Sequence, residues 1–112
     1  MQILNQTRET TLAVNARLAD TFFSRLRGLL GTKSLPEGSA LVIRPCNSVH
    51  MFGMRYSLDV LFVASDQHVL KMVAALAPGK VAVCPGAAYA VELPVGTLIR
   101  TGTAVGDELR LE

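Results

Sequence analysis

The chain has 112 residues, 50% of them hydrophobic, with eleven Lys and Arg against nine Asp and Glu for a net charge of +2, and it contains nine Gly, five Pro and no Trp. Folding at this size removes roughly 65% of the surface an unfolded chain exposes, so one domain spanning residues 1–112 carries a core without disulfide or metal staples, and disorder is excluded. No apolar run approaches the roughly 20 residues of a membrane-spanning helix, and Met1–Thr11 lacks the basic start and apolar stretch of a secretory signal, which makes a cytoplasmic location the expectation.

Met1–Asn5 and Thr10–Leu18 alternate weakly between apolar and polar residues and predict two half-buried strands, joined by a hairpin through Gln6–Glu9. Asp20 is a suitable N-cap. After it Phe22, Phe23, Leu26, Leu29 and Leu30 recur at spacings of three and four, which predicts a helix of about ten residues with one apolar face, ended by Gly31. Lys33–Gly38 reads as a loop. From Ser39 onward short Val-, Leu- and Ile-rich runs alternate with Gly, Pro or Asp turns. They predict strands at Ala40–Arg44, Val49–Phe52, Leu58–Ala64, Val69–Ala75, Lys80–Cys84, Tyr89–Leu93, Thr97–Thr101 and Glu108–Leu111. Leu58–Ala64 is apolar on both faces except for Asp59, as a central strand is. Ser65–His68 is the turn of the clearest hairpin. The fold class is therefore mainly β: a β-sandwich or distorted β-barrel with one short α-helix near residues 20–30.

Charge is unevenly spread. Met1–Tyr56 carries seven basic and three acidic residues, Ser57–Glu112 four basic and six acidic. The basic residues are scattered rather than clustered, so nucleic acid is not an expected partner. The asymmetry instead predicts internal ion pairs, with Arg25, Arg27 and Arg55 facing Asp59 and Glu92. The two cysteines, Cys46 and Cys84, match neither a disulfide framework nor a CxxC zinc site and are expected to be thiols. No close pairing of Cys46, Cys84, His50 and His68 beyond Cys46 with His50 supports a metal, and no cofactor is expected. Glycines at 96, 102 and 106 lack the Lys-Ser/Thr and following helix of a phosphate loop.

The densest polar segment runs from Arg44 to Asp59. In an extended chain Cys46, Ser48 and His50 point to one side, with Asn47 and Val49 opposite. A thiol and an imidazole on one face suggest a nucleophile and its base, with Asp59 orienting the ring. Against this, an extended strand separates Cys46 from His50 by about 13 Å, too far for a hydrogen bond. Asp59 interrupts an apolar run and so needs a cation or several hydrogen bonds; an Asp–Arg pair is the favoured reading. Met51, Phe52, Met54 and Tyr56 add soft or aromatic surface that suits either a pocket or a core.

Three segments, Arg25-Leu-Arg-Gly-Leu-Leu-Gly31, Cys46-Asn-Ser-Val-His-Met-Phe-Gly-Met-Arg-Tyr-Ser-Leu-Asp-Val-Leu-Phe62 and Val91-Glu-Leu-Pro-Val-Gly96, followed by Gly106-Asp107, together resemble the domain-of-unknown-function 192 family. The middle segment is similar to a bacterial branch with the form Cys-x-Ser-x-His-x-Phe-Gly-Met-Arg. The resemblance implies a mainly β domain with one short helix and no established activity. Many relatives carry an export signal or lipid anchor. Its signature positions are Arg27, Gly28, Leu29, Cys46, His50, Met51, Met54, Asp59, Glu92, Gly96, Gly106 and Asp107, none with a catalytic role. The expected function is a non-enzymatic module that binds a small molecule or a protein partner through Arg27, Cys46, His50, Met54, Arg55 and Asp59. The rival expectation is a thiol-dependent hydrolase or transferase using Cys46, His50 and Asp59, and a third is a purely structural interaction domain.

Overall fold

Two neighbouring strands at the centre of the molecule, Leu58–Val63 (β6) and Tyr89–Leu93 (β9), are buried at every position. A strand can be apolar on both faces only when both faces are covered, and the computed structural model, which describes residues 1–112, shows what covers each. β6 and β9 pair antiparallel within a five-stranded sheet of order β3-β4-β9-β6-β7. Its other members are Asn15–Ala19 (β3), Ser39–Ile43 (β4) and Val69–Leu76 (β7).

On one face the sheet packs against a three-stranded sheet of Leu109–Leu111 (β10), Ile3–Asn5 (β1) and Thr10–Ala13 (β2). Leu61, Val63, Val91 and Leu93 meet Ile3, Leu12 and Leu109 there. On the other face Leu58, Val60, Phe62 and Ala90 meet Val49, Met51, Ala82 and Leu29. That second layer is a ribbon of Ser48–His50 (β5) and Val81–Val83 (β8), with the segment after the first helix beside it. The arrangement is a β-sandwich with an added ribbon; the sheet does not close into a barrel. The 14 buried residues on one side and 12 on the other show that neither layer is a minor appendage. No helix is long and apolar enough to cross a membrane.

Several elements differ from the expectations. Thr10–Leu18 is not one strand: it breaks at exposed Val14, and its halves join different sheets. Both Val14 and Asn15 donate their N–H to the Gly38 carbonyl, which pins the break. β3 then runs parallel to β4, a pairing that requires a crossover. The crossover contains the helix Phe22–Arg27 (α1), six residues long rather than about ten. Thr21, not Asp20, is its N-cap: the Thr21 hydroxyl accepts from the Ser24 N–H, and the Thr21 N–H donates back to the Ser24 hydroxyl. Gly28, not Gly31, ends it at φ +50, a conformation that β-carbon-bearing residues avoid. The apolar face of α1 is not packed inward. Phe22, Phe23 and Leu26 are 66%, 77% and 64% exposed, and of the five periodic residues only Leu29, beyond the helix, is buried.

Thr97–Thr101, expected as a strand, is a second short helix (α2). Its cause is distant in sequence. The Asp59 carboxylate accepts the N–H of Gly96 and of Leu98 at 3.1 Å, supplying from β6 the acceptor that the helix start needs. The expected strand at Val49–Phe52 shortens to β5, and Met51 turns into the core. The Ser65–His68 hairpin forms as expected, with the His68 N–H bonded to Asp66.

Candidate functional site

β6 and β9 each contain one acid, and the pairing register separates them. Asp59 lies opposite Leu93 and Glu92 opposite Val60, and because side chains alternate across a strand the two carboxylates emerge on opposite faces of the sheet. Their surroundings differ as sharply. Asp59, 1% exposed, takes the N–H of Ala75 at 2.9 Å on one oxygen and those of Gly96 and Leu98 on the other. Three backbone donors satisfy it, and no arginine takes part; the expected Asp–Arg pair is replaced by backbone.

Glu92, 6% exposed, has neither hydrogen bond nor ion pair from its carboxylate. Burial alone pushes its pKa up from 4.5 to about 7, since the charged form loses water and gains nothing in exchange. Its side chain forms part of the floor of a cleft of about 530 Å³. One wall is α1 with the residues after it, from Phe22 to Leu30. The other is the segment from Pro45 through β5 to Phe52, with Met54 at the rim.

Arg25 extends over this cleft. Its Nη1 donates to the Pro45 carbonyl at 3.4 Å, while its Nε is buried and has no partner. Arg27 lies on the same wall and enters no ion pair. The Cys46 thiol donates to the Ser48 carbonyl at 3.1 Å. Burial pushes the thiol up; the Ser48 backbone opposes this in part, and the smaller effects of the Glu92 carboxylate, which raises it, and of Arg25, which lowers it, follow. His50 stacks on Phe52 with ring centroids 5.6 Å apart and makes no hydrogen bond to Cys46. Gly53 sits at φ +79 with Leu30 packed so close that an added Cβ would lie 3.2 Å from Leu30 Cδ2, which ties the two walls together.

Of the six residues expected to form the site, the structure brings Arg27, Cys46, His50 and Met54 to the cleft. Arg55 is exposed outside it, and Asp59 is on the far side of the sheet. Two contributors were placed elsewhere by the sequence reading: Glu92 and Arg25 were expected to satisfy ion pairs, yet the ion pairs present are Arg8–Asp107, His68–Asp66, Arg100–Glu37 and Arg110–Glu112. The signal for Glu92 was available, since it interrupts Tyr89–Leu93 as Asp59 interrupts Leu58–Val63. No three His, Cys, Asp or Glu side chains converge as a metal site would require. A second hollow of about 580 Å³ near Gln6, Arg44 and Arg110 holds no buried unpaired charge.

Residues 3–111 match the DUF192 family, described as "Uncharacterized ACR, COG1430". A UPF0127 protein of Thermococcus sibiricus is 33% identical over 115 residues, covering 98% of this chain and 74% of the relative. A UPF0127 protein of Pyrococcus furiosus is 32% identical over 113 residues, covering 96% and 95%. Two solved structures share the fold at 22% identity. One is a conjectured transcription regulator of Sinorhizobium meliloti, with a TM-score of 0.84 over 97% of this chain and 89% of the other. The other is a protein of unknown function from Novosphingobium aromaticivorans, with a TM-score of 0.82 over 98% and 82%. On a match that spans nearly every residue, the chain belongs to the DUF192, or UPF0127, family.

Proposed function

We propose that this chain is a non-enzymatic binding module whose site for a small molecule is the cleft between α1 and β5. The carrying observation is Glu92: a buried carboxylate left without a partner at the floor of an open cleft. Native proteins pair such groups almost without exception, because an uncompensated buried charge is expensive. An acid whose pKa is raised by burial and which opens onto a cleft marks a candidate ligand site. The size of the cleft, about 530 Å³, falls within the range of small-molecule sites. Its walls set apolar side chains such as Leu26, Leu29 and Phe52 among the polar Arg25, Arg27, Asn47, Ser48, His50 and Glu92. Cys46, Ser48, His50, Phe52, Met54 and Arg55 also match the Cys-x-Ser-x-His-x-Phe-Gly-Met-Arg branch, to which we assign the chain.

The rival thiol-dependent reading gains nothing from the geometry. Cys46 is engaged with the Ser48 carbonyl, and its thiol is shifted away from the thiolate that such chemistry needs. Adding a library of metabolites and fragments while recording backbone amide shifts tests the proposal. Binders should move the amides of Leu26, Cys46, Ser48 and Phe52 together. A library that perturbs only the β1–β10 end, or nothing, rejects the cleft as the site.

A further inference from the structure

Three of the four phenylalanines lie outside the core, and all three are at one end of the molecule. Phe62 is buried in β6, whereas Phe22, Phe23 and Phe52 are 66%, 77% and 60% exposed. Phe22, Leu26, Leu30 and Phe52 border the same cleft, and Phe23 meets Phe22 edge-on with ring centroids 5.4 Å apart, so these side chains form one patch. At roughly 200 Å² per ring the three phenylalanines alone present roughly 400 Å², the size of the largest apolar patch on a typical monomer. Leu26 and Leu30 extend it, and patches of this size mark interaction sites. Packing does not account for the patch. No residue of α1 is buried, and a six-residue helix is too short to form on propensity alone. The Thr21–Ser24 capping box holds the turn, and its rings remain in water.

Charge identifies the occupant. Thr21–Lys33 and Asn47–Tyr56 make up this end and are tied together where Leu30 packs on Gly53 and by a 2.8 Å hydrogen bond between the Thr32 and Tyr56 hydroxyls. They contain Arg25, Arg27, Lys33 and Arg55 and no acid, and none of the four enters an ion pair. The other seven basic residues share the rest of the chain with all nine acidic ones. Of those acids, Asp20 just precedes Thr21, and Glu92 is buried at the floor of the cleft. The chain is therefore polarised, with its cations gathered around its exposed rings.

We infer that this end docks on an anionic lipid bilayer. Phe22, Phe23, Leu26 and Phe52 enter the interface, and the exposed Arg27, Lys33 and Arg55 lie at the level of the phosphates. An apolar tip ringed by unpaired cations gains from both features of such a surface: burial of its rings at the headgroup boundary and attraction to the anionic headgroups. A second copy of the chain would cover the rings but set the four cations against their own counterparts. The inference goes beyond the small-molecule reading, since it uses the rim of the cleft and the outer side of α1 rather than the cleft floor.

Co-sedimentation of the full chain with phosphatidylcholine vesicles, with and without about 30% phosphatidylglycerol, tests this. Binding should be at least about tenfold tighter on the anionic vesicles, and it should fall about tenfold between about 0.05 and 0.5 M salt as the charges are screened. Phe23→Ser should weaken it at least about tenfold, as loss of one buried aromatic side chain implies, and Arg27→Gln about fivefold. Both side chains are exposed and make no ion pair, so urea unfolding of these variants should match the parent. Ile99→Ser removes an equally exposed apolar side chain from α2, which packs through Leu98 on the other side of the five-stranded sheet, and should bind as the parent does. Because the chain has no Trp, Phe23→Trp supplies a single reporter whose emission should shift to the blue on anionic vesicles. No binding of the parent chain to anionic vesicles, equal binding to neutral ones, or binding unchanged by Phe23→Ser overturns the inference. Self-association in the analytical ultracentrifuge that Phe23→Ser abolishes, without vesicle binding, overturns it in favour of a second copy.

Discussion

Replacing Glu92 with Gln should make this protein more stable, and only above a defined pH. Glu92 gives up its proton near 4.5 when unfolded and near 7 when folded. Between those values the native state holds the more protons, so raising the pH through this window weakens folding; the penalty is absent below 4.5 and complete above 7. The gap, at roughly 1.4 kcal/mol per pH unit, amounts to about 3 kcal/mol, and water reaching the carboxylate through the cleft brings the expectation to about 2–3 kcal/mol. Gln keeps the shape of the protonated acid and cannot ionise. Urea unfolding of parent and variant, followed by circular dichroism across about pH 4.5–8.5, isolates this effect because every other titrating group is common to both chains. The variant should match the parent at the acid end and exceed it by about 2–3 kcal/mol at the alkaline end, near 10 °C in Tm at about 4 °C per kcal/mol. Equal stability at pH 8.5, or an advantage that does not change with pH, would refute the claim that Glu92 is buried without a partner.

Asp59→Ala orphans the N–H groups of Ala75, Gly96 and Leu98 and should cost about 3–5 kcal/mol in urea unfolding. Asp59→Asn, which keeps one acceptor oxygen for Gly96 and Leu98, should lose about 2 kcal/mol; indifference to both substitutions would contradict the role of Asp59 in starting α2. Iodoacetamide labelling of Cys46, followed by mass spectrometry, should remain slow at neutral pH and accelerate only above the usual thiol range, since burial raises its pKa. Rapid labelling near pH 6–7 would return the thiol-dependent reading to the lead.

The β framework was legible because period-two alternation and turn residues report local structure. Leu58–Ala64 read as a central strand for a reason the structure confirms: layers cover Leu58–Val63 on both sides. The features that escaped the sequence depend on partners far along the chain. Thr97–Thr101 contains β-branched and apolar residues suited to a strand, yet Asp59, some 37 positions earlier, caps it into a helix. Val14 carries no local break signal, and the bonds that turn the chain there come from Gly38. The candidate site was half visible. Proximity in sequence gathered Cys46, His50 and Met54, but it also drew in Asp59, which only the β6–β9 register assigns to the opposite face. That same register turns Glu92 toward the cleft. The periodic leucines and phenylalanines of α1 carried a helix signal correctly and a burial signal wrongly, since an amphipathic period shows that a face is apolar without showing what covers it.

The most direct test is a crystal structure of the chain grown with a binder taken from the metabolite and fragment library. The account predicts ligand density in the cleft between α1 and β5, over Glu92 and against Leu26, Cys46 and Phe52. Density confined to the β1–β10 end of the molecule, with the cleft left to solvent, would contradict it.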